Sequence, residues 1–223
     1  IMNDMKRGEI IEGKEVSDIA EKIVATLRLN NNMLVSLVSI FDFYGERKDY
    51  LYSHSVNVSI LSTNMGIALG FEESKLVDLC GSSLLHDIGM LRIPEEITNK
   101  ASALSNGEYA RIKEHPMHGL EILRNIKDLT KSAADVVYQH HEREDGSGYP
   151  EGKKGEDISD YAKVVAIIEV YECLTHPRPY RQKKCAPYEA VKKIVQEERN
   201  SFDKNLLKTF FNVVTPYPLG SFV

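Results

Sequence analysis

Cysteine is scarce in this sequence and widely scattered. Cys80, Cys173 and Cys185 are all that a 223-residue chain contains. An odd count without CxxC spacing supports neither a disulfide framework nor a thiolate zinc site, and it fits a reducing, cytoplasmic setting. Surplus positive charge is missing too. With 28 Lys and Arg against 33 Asp and Glu, the chain lacks the basic excess with which DNA- and RNA-binding surfaces neutralise phosphates, although a local basic pocket for a small phosphate ligand stays open. The most apolar early run, Met33 to Phe41, is broken by Ser36 and Ser39 and falls well short of the roughly 20 residues a bilayer span needs. No signal peptide or membrane span is expected. The chain opens on Ile1 rather than Met and stops at Val223, which reads as a piece of something longer.

What is present is enough for a sizeable core. At 42% hydrophobic and 27% charged, the composition suits one globular domain with a helical extension. Residues 1 to 45 read as that extension: Ile19, Ile23 and Leu27 recur at helical spacing, Asn30, Asn31 and Asn32 interrupt, and Leu34, Leu37, Val38 and Phe41 resume. These are either core-packing helices or a dimerisation or signal-input element following an upstream sensory or receiver domain.

Polar residues then fall where apolar ones belong. A helix expected from Tyr50 to Leu69 places His54, Val58, Leu61 and Met65 on one face, so His54 reads as a hydrogen-bonded core histidine or as a ligand. The next helix, about Glu72 to Ile88, carries His86-Asp87 at its inner end. A buried carboxylate without a partner costs several kcal/mol, so Asp87 either orients His86 or binds a cation. A loop from near Pro94 precedes Ser105-Asn106-Gly107-Glu108, the spacing of a capping box, which should start a helix running to about His115. Pro116 then opens another helix with Leu120, Leu123 and Ile126 inward. His118 reads as solvated.

The densest signal is His140-His141-Glu142-Arg143-Glu144-Asp145-Gly146-Ser147-Gly148-Tyr149-Pro150. Adjacent imidazoles repel when charged, and a metal removes the conflict by binding unprotonated rings. Both rings can serve one site at a helix end, and the glycine-rich turn supplies such an end; that turn is otherwise a plain surface loop. Ser159 should cap a long helix in which Glu169, set within an apolar run, and Glu172 require a cation or an arginine. The segment His176-Pro177-Arg178-Pro179-Tyr180-Arg181-Gln182-Lys183-Lys184 reads as a solvated basic loop or a phosphate clamp.

Together His86-Asp87-Ile88-Gly89, His140-His141-Glu142 through Gly148-Tyr149-Pro150, and Arg178-Pro179-Tyr180-Arg181 resemble the HD-GYP family, a branch of the HD-domain metal phosphohydrolases. The likeness runs from about Tyr50 to the end and includes Tyr217-Pro218-Leu219-Gly220-Ser221. It implies an all-α HD-domain helical bundle at residues 46–223 that hydrolyses cyclic di-GMP, or a related cyclic dinucleotide, through a metal-bridging hydroxide. Carried over by position, the metal ligands fall on His54, His86, Asp87, His115, His140 and His141, with Glu169 where the family usually has aspartate. Asp87 would bridge the metals, Arg178 and Arg181 would hold phosphate, and Tyr149 would face substrate. Imidazoles and carboxylates without thiolate suit two iron or manganese ions better than a structural zinc.

Three positions depart from the family pattern. Met90 stands where a phosphate-contacting lysine commonly follows His-Asp-Ile-Gly; Tyr50 replaces the glutamate of three-metal members, so two metals are expected; and Glu169 is one methylene longer than aspartate. An active phosphodiesterase giving pGpG or GMP is the first reading, and a slow or inactive nucleotide-binding signalling domain that keeps the metal site is the second. A di-iron oxygenase is disfavoured by the phosphate-directed loop. A homodimer through the N-terminal helices is a further expectation.

Overall fold

The computed structural model describes residues 11–30, 35, 38, 50–177 and 184–214. In chain order its helices are α1 (Gly13–Leu29), α2 (Tyr50–Ala68), α3 (Glu73–Leu85), α4 (Glu95–Thr98), α5 (Asn106–Ile112), α6 (His115–Leu123), α7 (Lys131–Gln139), α8 (Asp160–Thr175), α9 (Pro187–Glu197) and α10 (Lys204–Val213). Short 3-10 turns occupy Ile88–Arg92 and Gly155–Asp157. Strand pairing among the described residues is one parallel bridge, β1 (Ile11–Glu12) on β2 (Ile126–Lys127), with Ile11 opposite Ile126. The fold is all-α.

Two helices lack a polar face, and they form its axis. α2 is buried almost continuously from His54 to Gly66, and α8 buries Val164, Val165, Ala166, Ile167 and Ile168 in succession. Neither keeps a solvated stripe through its middle, so both are covered all round, and in α2 the cover extends over Ser59, Ser62, Thr63 and Asn64 as well as the apolar residues. α3 and α8 pack on α2, α7 lies against α3 and α8, and α9 and α10 close the far side of α8. Ile194, Leu207 and Phe210 join the α2–α8 core there, each worth about 1.5–3 kcal/mol of apolar burial.

Several expectations need correction. On α1 the buried stripe is Val16, Ala20, Val24 and Leu27, while Ile19 is exposed. The reason lies in the partner: Gly81 of α3 leaves room for Val16 and Ala20, so the small residue outcompetes the more apolar one. α3 stops at Leu85, short of Ile88, which leaves His86 and Asp87 in a turn. Pro94 opens α4 rather than a loop. The capping box is present, with Glu108 N–H donating to Ser105 Oγ (3.3 Å) and Ser105 N–H to Glu108 Oε2 (2.7 Å), but α5 ends at Ile112 and His115 begins α6. In α6 the buried residues are His115, Pro116, Gly119, Ile122 and Leu123, with Leu120 half-buried. Ser159 stands at the α8 N-cap without a side-chain cap; its N–H donates to Gln139 Oε1 (2.8 Å), tying α8 to the end of α7. Arg178, Arg181 and the Tyr217–Ser221 stretch lie outside the described residues. No helix among the described residues is long and apolar enough to cross a membrane.

Candidate metal centre

Helix ends bring the polar residues together. His54 projects from the second turn of α2; His86 and Asp87 follow the end of α3; His115 is the first residue of α6; His140 and His141 follow α7 directly; Glu169 and Glu172 lie on α8. The approach of α6 depends on Gly89, since a Cβ there would collide with the His115 carbonyl oxygen and the Gly119 backbone nitrogen. Any side chain at position 89 would push His115 away from Asp87.

The side chains form two groups that share Asp87. One comprises His54, His86 and Asp87; the other Asp87, His115, His140 and His141; within each group the possible ligand atoms lie no more than 4.8 Å apart. Asp87 Oδ2 faces the first group, 3.5 Å from His54 Nε2 and 3.8 Å from His86 Nε2. Its Oδ1 faces the second, 3.3 Å from His115 Nε2 and 3.6 Å from His140 Nε2. Glu169 belongs to neither group at that spacing, but its Oε2 lies 3.5 Å from His141 Nδ1 and is buried without a hydrogen-bond partner.

The ring nitrogens decide what the cluster can hold. His86 Nδ1 donates to Ser83 O (2.7 Å), His115 Nδ1 to Ile112 O (2.7 Å), and His140 Nδ1 to Val136 O (3.0 Å). His54 Nδ1 meets the Glu172 carboxylate at 2.5 Å. In each neutral ring the Nε2 is therefore left as a lone pair. Yet these lone pairs face each other, His54 Nε2 against His86 Nε2 at 3.1 Å and His115 Nε2 against His140 Nε2 at 3.1 Å. Opposed lone pairs beside a carboxylate at that range are accommodated by a cation, and the donor set fits a divalent metal.

Electrostatics agrees. Burial drives His86 down to about 3 and His115 down to about 4, and it also pushes His141 well below the ordinary imidazole value. Burial alone would raise Asp87, but the surrounding imidazoles outweigh it and hold the carboxyl well below its usual range. His140 moves up, because the pull of Asp87 and Glu169 exceeds the burial penalty, and burial raises Glu169. The balance is an ionised Asp87 with His86, His115 and His141 held neutral, while His140, pulled by Asp87 and Glu169, is drawn the other way.

Two glutamates have structural work that the sequence did not reveal. Glu172 Oε2 holds His54 and its Oε1 accepts from Asn57 Nδ2 (3.1 Å), so it stands behind the cluster as an orienting group; its only local signal was a second acid one turn past Glu169. His176 Nδ1 lies 3.6 Å from Glu172 Oε1, and His176 Nε2 donates to Val38 O (2.9 Å). Glu142 is buried, and its two oxygens accept from Glu151 N (2.8 Å) and Lys153 N (3.0 Å), stapling the glycine-rich loop. Gly148 in that loop could carry no Cβ, which would strike the backbone of His141 and Glu142. The loop presents Tyr149 to His141, rings stacked with centroids 4.5 Å apart at 21°. His118 sits apart on α6, half-buried near Glu114 and Glu121.

A family model described as HD domain matches residues 2–206. The chain belongs to the HD-domain family, in its HD-GYP branch. Among curated relatives of this HD-GYP chain, the cyclic di-GMP phosphodiesterase PA4108 of Pseudomonas aeruginosa is 32% identical over 223 residues, 100% of this chain and 52% of that protein. The cyclic di-GMP phosphodiesterase PdeB of Borreliella burgdorferi is 31% identical across 78% of this chain and 46% of its own length. The chain thus spans about half the length of these relatives. Among solved structures, Bd1817 of Bdellovibrio bacteriovorus, described as an HDG"Y"P protein, superposes with a TM-score of 0.74 at 22% identity, covering 90% of this chain and 63% of that one. That likeness is one of fold.

Proposed function

We propose that this HD-GYP chain is a phosphodiesterase that hydrolyses cyclic di-GMP to linear pGpG or onward to GMP, with residues 46–223 carrying the chemistry and residues 1–45 a helical extension. The observation that carries this reading is the pair of opposed Nε2 contacts, one on each side of Asp87, in a chain whose curated relatives are named cyclic di-GMP phosphodiesterases. His54, His86 and one oxygen of Asp87 would hold one divalent ion; His115, His140, His141 and the other oxygen of Asp87 would hold a second, with Glu169 completing the set. The absence of thiolate among them favours iron or manganese. Bound there, such ions supply Lewis-acid charge that favours attack of water on phosphorus and departure of the ribose oxygen.

The chain's own residues prepare that step. Asp87 keeps the two halves in register. Glu172 fixes the His54 ring and its tautomer, and the carbonyls of Ser83, Ile112 and Val136 do the same for His86, His115 and His140. Arg178 and Arg181 would grip phosphate oxygens, as their place in the family motif suggests. The test is chromatography of products after incubating anaerobically iron-loaded or manganese-loaded protein with cyclic di-GMP. Linear product is expected. Tight nucleotide binding without it would sink the enzyme, and protein that retains no metal would sink the centre.

A further inference from the structure

A substrate with two phosphodiester groups needs cations beyond the metal ligands, and Met90 supplies none. Most cations around the glycine-rich loop are already committed. Arg143 donates to the carbonyls of His140 and Glu142 and lies over the Phe202 ring; Lys153 pairs with Glu151 and Lys163 with Glu144. Lys113, at the C-cap of α5, is different. Its ammonium lies 5.0 Å from the Tyr149 ring centroid and 5.1 Å from that of Tyr109, and it forms no ion pair among the described residues.

Aromatic faces hold a cation without neutralising it. The ammonium therefore keeps its charge for an anion, and it is held one ring away from His141, on which Tyr149 stacks. That half of the cluster is also where the wall is thinnest, since the His141 side chain is 15% exposed and the His54 and His86 side chains 2% and 0%. A compact ammonium with three donors suits phosphate oxygens. We infer that Lys113 is a substrate-binding residue that contacts a phosphate of the cyclic dinucleotide at the mouth of the centre, supplying the cation that position 90 lacks. This inference rests on the phosphodiesterase reading above, and Tyr149 serves in it as the platform that positions the ammonium.

The experiment compares Lys113→Met, which keeps the aliphatic stem, and Lys113→Arg with the parent protein, all manganese-loaded and checked for metal content and melting temperature. For cyclic di-GMP, Lys113→Met should raise KM about tenfold, the loss expected for one charge-assisted hydrogen bond, with kcat and metal content retained. Lys113→Arg should recover most of the affinity, and the salt dependence of KM should weaken only in the methionine variant. An unchanged KM in Lys113→Met, or a loss that follows metal content, overturns the inference. Inorganic phosphate separates the two readings. If the parent fails to hydrolyse cyclic di-GMP, the phosphodiesterase reading falls; a phosphate Kd weakened in Lys113→Met still supports the lysine as a phosphate site, and an unchanged Kd or no phosphate binding removes it.

Discussion

The two halves of the centre share Asp87 and differ in almost everything else. Around His54 and His86 the protein is closed: both rings are buried, and behind His54 stands the carboxylate of Glu172, itself held by Asn57. Around the second group His115 and His140 lean on backbone carbonyls, His141 faces the Glu169 carboxylate and is partly exposed, and Tyr149 with Lys113 forms the rim. In the closed half His54 is oriented by a side chain from a distant helix and His86 by the Ser83 carbonyl at the end of its own helix, whereas the open half is set by helix ends and a stapled loop. On the phosphodiesterase reading proposed above, chemistry on a large anion would belong at the open half, with the closed half as its anchor.

The largest test of that division is its shared member. Asp87→Ala should lose metal from both halves and reduce turnover to background, read by elemental analysis alongside product formation; retained activity would contradict the bridge. Next comes a matched pair. Glu172→Gln should weaken metal binding at the closed half by roughly 10–100-fold, the usual cost of removing an orienting partner, whereas Glu169→Gln should act on the open half alone. Titration of metal into stripped protein resolves two classes of site, and identical effects on both would erase the distinction. Gly89→Ala should cost about 1–3 kcal/mol through overpacking, a fall in Tm of roughly 2–4 °C per kcal/mol, and it should weaken the open half by displacing His115. The smallest effect lies outside the centre. Glu108 is held at about 2, against an ordinary 4.5, first by the Lys100 ammonium and then by Ser105. A carboxyl depressed on folding stabilises above its unfolded value and loses that contribution as the pH falls toward the folded one. Lys100→Ala should therefore lower the melting temperature slightly at neutral pH, with the difference vanishing near pH 2, and should leave metal content untouched.

Much of this was legible in the chain because polar residues on buried stripes are costly enough to stand out. His54, His86, Asp87 and Glu169 each interrupt an apolar pattern, and the structure gathers them with His115, His140 and His141. Glu172 was harder to place, because its partner His54 lies 118 residues away and no local spacing encodes that meeting. On α1 the expected face holds at Leu27 and in part at Ile23 but fails at Ile19, because hydrophobicity favours Ile19 over Ala20, whereas Gly81 across the interface decides which one fits. The turns and short helix after Gly89 carry too few residues for a period to show. Arg178 and Arg181, read as a phosphate clamp, lie outside the described residues.

Gly89 and Gly119 lie backbone to backbone where the start of α6 meets the turn after Asp87. No rotamer intervenes between the two peptide planes, so the distance from the Asp87 turn to His115 is gauged by the thickness of the main chain itself. A gauge made of peptide does not depend on a rotamer, although the other side of Gly119 is filled by the Val137 side chain, so α7 is spaced from α6 by packing and the Asp87 turn by the main chain.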